Sequence, residues 1–509
     1  MAAKNVPNQL SSCEMRSIEI NAEYFGVSLL QLMENAGRNV AQEIEKRFSN
    51  MKKVVFFCGL GGNGGDGFVA ARHLLVHGYS VTIFLAGKSK DISHPSAVQN
   101  WNTLKLVGDC LQIVEVSDIS NVSLVGVDVV VDALLGTGTK GTLKAHILRM
   151  VEVINSFEGF KIAVDVPTGI NSDSGEVLGG AVRADLTVTF YKSKWGLNRA
   201  KEFVGDLVVR DIGLPFEFER FAGPGDVNLV CKRHVLGVHK GDFGRLLVIG
   251  GSNVFSGAPA LASIAALRSG IDVVYTASVE KTANAISMMS PDLISVKLQG
   301  DNLNRDNVVE LEPYLALVDA VVLGPGIGLA DETCKFVELF VDKVEKAGKP
   351  LLLDADGLKA FAKFKRPLKS PLVLTPHIGE YAVLTGQRLP EDDFEGKVSL
   401  IQKTAKALNA VLLVKGKVDI ICSPSRVKLN FTGNLGMTVG GTGDVLAGIV
   451  GGLLAQKTDV FKAAVAGAFV NGACGDIVAS RIGFHMLASD LLDVIPQMFI
   501  KPMDHLKVR

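Results

Sequence analysis

The sequence predicts an α/β fold built from two three-layer αβα domains. Short apolar runs rich in β-branched residues alternate with segments of helical periodicity along the whole chain. Most of these runs end in glycine-rich segments, as strands of open parallel sheets do where they meet a ligand. The length of 509 residues exceeds what one core usually supports, so we expect more than one domain.

The composition argues against several classes of protein. Lysine and arginine (53) balance aspartate and glutamate (53), so binding of nucleic acid or of a membrane surface is not the expected role. The N-terminus has no signal-peptide pattern, and the longest apolar run, 445–455, is about half as long as a membrane span. Seven cysteines without a C-x-x-C pair indicate reduced thiols, not a disulfide frame or a zinc site. We therefore expect a cytoplasmic protein, acting as a homo-oligomer.

The first strand–loop–helix unit follows a helix expected over about 27–48. Residues 53–58 form a short β-rich run, and 59–67 contain six glycines before a helical pattern that ends near Gly78. Such a loop at the carboxyl end of a strand lets backbone approach a phosphate. A tight turn is the alternative, although nine residues exceed what a turn needs. The candidate ligand residues are Gly62, Asn63, Gly64, Gly65 and Asp66.

Two further strands of the first half end in the same way. The run 127–132 ends at Asp132 and precedes a second glycine loop, 133–141, and the strand 161–165 ends at Asp165 and Thr168. Strand tips of an open parallel sheet converge on one crevice, whereas any single tip is more often a cap or a turn. Oxygen donors from Asn63, Asp132 and Thr168, without histidine or cysteine, suit a hard cation.

A glycine- and proline-rich segment, 213–226, lacks periodicity and marks a domain boundary at about 220. We expect domains over 1–220 and 221–509. Runs near 245–249, 319–323, 350–354, 372–375 and 410–414 then predict a second alternating α/β domain. Its candidate residues have plainer alternatives: Asp354 and Asp356 as helix caps, His377 as a capping or core histidine, and Lys415 as a solvated strand end.

The stretch 434–453 organises the second domain. Its first half is glycine-dense, so we expect neither a regular strand nor a helix there, and helical periodicity begins at Asp444. A glycine loop that leads into a helix N-terminus collects free N–H groups and favours an anion such as phosphate. Asp444 lies beside that anion, either as the N-cap or as a base that deprotonates a hydroxyl attacking a phosphate.

The segment Gly-Gly-Thr-Gly-Asp at 440–444 resembles the anion hole of ribokinase-like enzymes, and 434–448 resembles the NAD(P)H-hydrate dehydratases among them. The blocks 256–259, 324–328 and 375–380 match that branch in order. In the first half, 15–19 and 32–37 resemble the opening of the YjeF-type epimerase domain, although 32–37 also reads as ordinary helix core. Nearly the whole chain therefore resembles bifunctional NAD(P)H-hydrate repair enzymes, with a Rossmann-like first domain and a ribokinase-like second domain.

For the first domain, the resemblance implies interconversion of the R and S hydrates of NADH and NADPH, with Asp165 in acid–base chemistry. It also implies a K⁺ ion held by Asn63, Asp132 and Thr168. The family usually has two adjacent asparagines in the first loop, and Gly62 replaces the first of them. The implied substrate-binding residues are Gly62, Asn63, Gly64, Gly65, Asp66, Gly136, Thr137, Gly138, Thr139, Lys140, Gly141, Thr142 and Asp165.

For the second domain, the resemblance implies dehydration of the S hydrate with ADP as phosphoryl donor and Mg²⁺ accompanying the nucleotide. Phosphorylation converts the hydroxyl into a good leaving group, and Asp444 would activate that hydroxyl. The implied substrate-binding residues are Ala258, Gly326, His377 and Asp444. The implied nucleotide-binding residues are Lys415, Gly416, Lys417, Val418, Asp419, Asn434, Gly440, Gly441, Thr442 and Gly443.

Two other functions share parts of this pattern. A ribokinase-like kinase of a small molecule, fused to a nucleotide-binding domain, would use Asp444 and keep its phosphorylated product. A nucleotide sensor without catalysis would need the glycine loops but not Asp444. The sequence by itself does not distinguish ADP from ATP as the donor.

Overall fold

The computed structural model describes residues 9–48, 52–107, 111–116, 122–231, 239 and 241–509. The chain divides into two compact units, Met1–Phe218 and Glu219–Arg509. This division lies close to the boundary expected near residue 220.

The first unit contains seven parallel-paired strands in one sheet, counted over its described residues, in the order β4-β3-β2-β5-β6-β7-β9. A short pair, β1 with β8, lies outside this sheet. The strands are β1 Gln9–Leu10, β2 Lys53–Cys58, β3 Ser80–Leu85, β4 Leu111–Glu115, β5 Val129–Ala133, β6 Phe160–Val164, β7 Leu186–Phe190, β8 Ser193–Lys194 and β9 Asp206–Arg210. The helices are α1 Ser12–Tyr24, α2 Leu29–Arg47, α3 Gly62–Val76, α4 Pro95–Leu104, α5 Ala145–Ser156, α6 Lys201–Val204 and α7 Glu217–Arg220, which crosses the division between the units.

Helices cover both faces of this sheet. Leu32, Val69 and Trp101, on α2, α3 and α4, pack with strand residues in one buried cluster. Ile147 and Met150, on α5, pack with the opposite strand faces in another. The first unit is therefore the three-layer αβα arrangement that the sequence predicts.

The second unit has a sheet in the order β12-β11-β10-β13-β14-β15-β16-β17-β18 within its described residues. All pairings from β12 to β16 are parallel, and β17 and β18 extend the edge antiparallel. The strands are β10 Arg245–Ile249, β11 Val273–Val279, β12 Ile294–Leu298, β13 Ala320–Leu323, β14 Leu351–Leu353, β15 Leu372–Leu374, β16 Val411–Val414, β17 Asp419–Cys422 and β18 Val427–Asn430. The helices are α8 Pro224–Val230, α9 Gly257–Arg268, α10 Glu280–Ser287, α11 Asn307–Leu317, α12 Asp331–Lys346, α13 Ala355–Ala362, α14 Ile378–Thr385, α15 Phe394–Leu408, α16 Thr442–Ala455, α17 Val460–Ile482 and α18 Ile495–Ile500.

Two glycine-dense segments begin their helices earlier than expected. Helix α3 begins at Gly62, so most of the predicted first loop forms helical turns. A Cβ at Gly64 would lie 2.0 Å from the carbonyl oxygen of Gly59, and one at Gly65 would lie 2.5 Å from the Met33 side chain. These glycines therefore permit close helix packing. In the second unit, a 3₁₀ turn spans Leu435–Thr438, where no helix was expected, and α16 begins at Thr442 instead of Asp444.

Helix α17 was not anticipated as a long apolar element. Among the described residues it is the one helix that could cross a membrane by length and composition, and 83% of its most apolar window is buried inside the structure. It packs against α8, α16 and α18, as a core helix does. Cys13, Cys58, Cys231, Cys334, Cys422 and Cys474 are free thiols, and Cys110 lies outside the described residues.

Candidate active sites

The first unit contains a cavity of about 870 Å³ at the carboxyl ends of its strands. Predicted site residues that line it are Gly62, Asn63, Asp66, Gly136, Thr137, Gly138, Thr139, Lys140, Thr142 and Asp165. Gly64, Gly65 and Gly141 do not line it; the first two are buried beneath the start of α3. The structure therefore brings the three predicted strand tips to one crevice, and it assigns two of the glycines to packing.

Asp165 lies in a strained turn at the end of β6. Its φ is 64°, and the N–H of Val166 donates to the carbonyl of Val164 at 2.8 Å, which closes a γ-turn around it. The Thr189 hydroxyl donates to Asp165 Oδ1 at 3.0 Å, and the Lys194 ammonium pairs with the same oxygen. The turn and these donors hold the carboxylate in one orientation at the cavity wall.

Two chemically important residues of this cavity were not predicted. Lys194 from β8 and Glu19 from α1 both line it. Glu19 belongs to the segment 15–19, which the sequence analysis noted for its resemblance without assigning it chemistry. Lys194 carried no local signal, because its partner Asp165 is 29 residues away in the chain.

Of the predicted cation ligands, Asn63 lines the cavity, whereas Asp132 and Thr168 are buried and do not line it. Both polar atoms of the Asn63 amide are buried without a hydrogen-bond partner among the described residues. Thr168 donates to Asp132 through its hydroxyl and its N–H, each at 2.7 Å, and accepts from the N–H of Leu135 at 3.0 Å. An amide oxygen without a partner, a carboxylate and a hydroxyl are donors of the kind that suits a hard cation.

In the second unit, Asp444 lies in the first turn of α16 and is half-buried. The N-cap is Gly441, with φ 102°, so the interpretation of Asp444 as the N-cap is wrong. Burial raises the pKa of Asp444 to about 7, with Asp354 adding to the rise and Lys415 opposing it. A carboxyl with such a pKa can accept a proton near neutral pH.

Lys415 lies beneath the glycine turn instead of extending into solvent. Its ammonium is 3.0 Å from Asp354 Oδ1 and 3.9 Å from Glu380 Oε2, and a Cβ at Gly443 would lie 3.3 Å from it. Burial acts to lower the pKa of Lys415, but the two carboxylates outweigh burial and raise it. Lys415 therefore neutralises carboxylates at the site, and the alternative of a solvated strand end is wrong.

The other predicted substrate residues lie in a loop or at the start of a helix in the same unit. His377 is the N-cap of α14, with Nδ1 accepting from the N–H groups of Gly379 (3.0 Å) and Glu380 (3.3 Å), and its ring is exposed. Gly326 has a φ of 68°, and a Cβ there would lie 3.4 Å from the Cβ of Ala258. Gly326 and Ala258 are therefore neighbours, and the capping interpretation of His377 describes its contacts.

Asp356 follows β14 but does not cap its helix through a side-chain bond. It accepts from the N–H of Gly328 at 3.1 Å and pairs with Lys359 at 2.9 Å. Asp354 is the N-cap residue by position, and the cap carries no side-chain hydrogen bond. Its carboxylate instead faces Lys415 and the Thr375 hydroxyl, at 3.0 and 2.7 Å.

The predicted nucleotide loops differ in exposure. Gly416 and Lys417 are exposed, and space around Gly440 is open to 4 Å. Asp419 accepts from the N–H of Gly416 at 3.1 Å and from Asn430 at 2.9 Å, so its carboxylate shapes the loop. Thr442 is buried, and its hydroxyl donates to the carbonyl of Met437 at 2.9 Å. Val418 is half-buried and packs on the core.

Asn434 is fixed by residues that the sequence analysis missed. Its Oδ1 accepts from the N–H of Gly436 and its Nδ2 donates to Asp476, each at 2.9 Å. Asp476, on α17, also accepts from the N–H of Gly433 and pairs with His505, again at 2.9 Å. The C-terminal 3₁₀ segment Pro502–Lys507 thus supports the loop that leads to Asp444.

Comparisons with known proteins agree with this geometry. Residues 246–497 match a family described as NAD(P)H-hydrate dehydratase, and residues 29–196 match a family described as YjeF-related protein N-terminus. The bifunctional NAD(P)H-hydrate repair enzyme Nnr of Hyperthermus butylicus is 42% identical over 97% of this chain and 93% of its own. The chain belongs to the family of bifunctional NAD(P)H-hydrate repair enzymes. The resemblance inferred from the motifs is thereby confirmed.

Other relatives in this repair-enzyme family are similar over the same extent. The protein of the same description from Methanothermobacter thermautotrophicus is 41% identical over 95% of this chain and 94% of its own. A crystal structure of a ribokinase-like superfamily protein from Enterococcus faecalis covers 57% of this chain and 98% of its own, with a TM-score of 0.50 and 24% identity. That likeness shows the fold, and it agrees with the ribokinase-like fold expected for the second half.

Proposed function

We propose that the second unit dehydrates the S hydrate of NADH or NADPH in an ADP-dependent reaction, and that the first unit interconverts the R and S hydrates. The observation that carries the first part is the place of Asp444: a half-buried carboxyl in the first helical turn after a glycine loop, with its pKa raised to about 7. The family descriptions of the two matched segments support both parts.

The chemistry of the second unit follows from this place. Asp444 takes the proton of the substrate hydroxyl as its oxygen attacks the terminal phosphorus of the nucleotide. The free N–H groups at the start of α16 stabilise the charge on the transferring phosphoryl group. The phosphate ester then leaves from carbon far more readily than hydroxide would, and the dihydronicotinamide ring is restored. Lys415 keeps the nearby carboxylates neutralised, which lowers their repulsion of the anion.

Two metal ions belong to this proposal. Mg²⁺ would neutralise phosphate charge, and it would come to the site with the nucleotide. K⁺ would bind Asn63, Asp132 and Thr168, and the unpartnered Asn63 amide supports this. There it would orient the phosphates of the substrate. Asp165 takes part in acid–base chemistry at the epimerised carbon.

The test uses the full chain with S-NADH hydrate, Mg²⁺ and either ADP or ATP. We expect dihydronicotinamide absorbance to return with ADP. We expect Asp444→Asn to lose about 10²–10⁴-fold in rate, the usual contribution of a positioned base. Asp459→Asn, which alters a cap at the start of α17, is the matched control and should keep its rate. No return of absorbance in the wild type, or full return in Asp444→Asn, would contradict the proposal; a stable phosphorylated product would indicate a kinase.

A further inference from the structure

Lys194 is buried at the wall of the first unit's cavity and uses its ammonium on three acceptors. It is 1% exposed, pairs with Asp165 Oδ1, and donates to the Thr189 hydroxyl at 2.9 Å and to the Phe190 carbonyl at 3.1 Å. An ammonium group has three N–H donors, so this set uses all of them. Lys194 is therefore built to serve Asp165 and is not placed to bind a substrate phosphate.

The ion pair with Lys194 defines the surroundings of the Asp165 carboxyl group. Burial of a carboxyl group favours its neutral form, whereas an adjacent ammonium favours the carboxylate. Thr189 adds a second donor to the same oxygen, and the γ-turn at Asp165 fixes the backbone below it. Asp165 is thus paired with an ammonium group and held in one orientation.

Glu19 reaches the same cavity from α1 and meets a different environment. The charged groups that face it are Arg16 on its own helix, Asp165 after β6, and Lys194 on β8. Burial, followed by the charge of Asp165, raises the pKa of Glu19 to about 7 against the opposing effects of Lys194 and Arg16. Glu19 can therefore carry a proton near neutral pH.

Asp66 is the other acidic group on this wall. Burial, and then Asp165 and Glu19, raise the pKa of Asp66 well above its usual range. A group that keeps its proton so firmly hydrogen-bonds well and is poorly suited to reversible proton transfer. Two nearby carboxyl groups with opposite surroundings, here Glu19 and Asp165, are the arrangement by which enzymes separate an acid from a base.

We propose that Lys194 is a positioning residue that holds Asp165 as a carboxylate base, and that Glu19 is the catalytic acid of the epimerase site. This inference rests on the proposed epimerase function. Glu19 donates its proton to the substrate hydroxyl, the carbon–oxygen bond breaks, and water leaves while the ring nitrogen's electron pair forms a C=N bond. Water then adds to the opposite face, the electron pair returns to nitrogen, and Asp165 accepts the surplus proton. Transfer of that proton to Glu19 through solvent restores both groups.

The experiment measures kcat/KM for R-NADH hydrate in the full chain against pH, with ADP and Mg²⁺ present and the enzyme-free rate subtracted. Consumption of S hydrate by the same preparation reports the folded second unit, and circular dichroism reports the first. The variants are Glu19→Gln, Lys194→Met and Lys194→Arg. Glu23→Gln, one turn further along α1, and Lys192→Met, two residues before Lys194, are the matched controls.

We expect Glu19→Gln to lower kcat/KM by about 10²-fold or more and to abolish the fall in activity as pH rises through about 7, because a catalytic acid must carry its proton. Lys194→Met should move the acidic fall in activity to higher pH, because the ammonium group that favours a carboxylate is then gone. Lys194→Arg should restore part of the original profile. A merely structural role would lower the rate without moving the acidic or the alkaline fall of the pH profile.

The outcomes separate this inference from the function beneath it. A wild type that consumes S hydrate but leaves R hydrate would contradict the proposed epimerase function. The inference on Lys194 and Glu19 alone would be overturned by a different result. In that result the wild type acts on both hydrates, and Glu19→Gln and Lys194→Met keep kcat/KM within threefold of the wild type with an unchanged pH profile. If Lys194→Met does not fold, the variants Glu19→Gln and Thr189→Val decide. Thr189→Val removes one hydrogen-bond donor to Asp165 while keeping the shape of the side chain. Unchanged pH profiles of kcat/KM in both variants would overturn the inference on Lys194 and Glu19.

Discussion

Asp444 and Asp165 are both aspartates at the ends of secondary structure elements, and their surroundings differ in one respect. Asp165 pairs directly with the buried ammonium of Lys194. The lysine near Asp444, Lys415, pairs with Asp354 and Glu380 instead, so burial dominates and the pKa of Asp444 rises to about 7. The first carboxyl thereby has an ammonium partner of its own, and the second is balanced between its two forms at neutral pH.

This difference predicts the pH dependence of the dehydratase. A base is active only when ionised, and the raised pKa of Asp444 places its loss of charge near neutrality. We therefore expect kcat/KM for S hydrate to fall as pH decreases through about 7. Initial rates across that range check this, with circular dichroism at each pH as the control for acid denaturation. A profile flat down to the ordinary aspartate pKa would contradict the assignment.

At the scale of elements, helix α17 supports the loop that precedes helix α16. Burial by itself would raise the pKa of Asp476, but hydrogen bonds from His505, the N–H of Gly433 and Asn434 outweigh burial and lower it. The carboxylate thus stays ionised and links three segments that are distant in sequence. The loop around Asn434 is held by this half-buried anion and by its own glycine turns.

We expect Asp476→Asn to raise KM for ADP about tenfold while leaving KM for S hydrate nearly unchanged. The reason is the loss of charge-assisted hydrogen bonds, which contribute about 1.5–3 kcal/mol each and here order only the nucleotide loop. Steady-state kinetics with each substrate varied in turn measure this. Asp459→Asn, at the other end of α17, is the control. Equal increases in both KM values would mean that the whole unit, not the loop, had been disturbed.

Helices α9 and α16 approach each other through glycine. A Cβ at Gly448 would lie 2.1 Å from the carbonyl oxygen of Ala262, a backbone atom that cannot move without shifting α9. We expect Gly448→Ala to destabilise the second unit by about 1–3 kcal/mol, the usual cost of overpacking a core. Gly257→Ala, in open space on α9, should change stability by less than about 1 kcal/mol. Loss of dehydratase activity during thermal unfolding compares the stability of the second unit in the two variants. Equal stability of the two variants would refute the expected cost at Gly448.

At the scale of the whole molecule, each unit has its own sheet and its own site. The first unit's cavity and the glycine turn of the second belong to residues on different sides of the division after Phe218. One chain thus carries the two activities that the family description joins. Only the S hydrate is proposed to be dehydrated, so the epimerase gives access to the R form as well. The compartment and the oligomeric state stay predictions from the sequence.

Separate sites predict separable defects. We expect Asp165→Asn to consume the S hydrate at the wild-type rate and to leave R hydrate at the spontaneous rate of epimerisation. Chromatography of both isomers with ADP present measures this. Asp185→Asn is the control, because Asp185 caps the N–H of Lys161 on the outside of the same unit. Loss of S-hydrate consumption in Asp165→Asn would show that the two activities depend on each other.

The sequence by itself determined the α/β class, the approximate boundary and the strand-tip segments, because apolar periodicity and glycine density are local properties of the chain. The catalytic roles of Asp165 and Asp444 stay predictions. Local pattern failed at Gly62–Gly67, where packing against Gly59 and Met33 turned an expected loop into helix. Only the tertiary structure decided that Lys194 pairs with Asp165, 29 residues apart, and that Asp476 holds Asn434, 42 residues apart. Those pairings depend on how strands and helices pack in three dimensions. The spacing of residues along the chain does not show which distant segments come together.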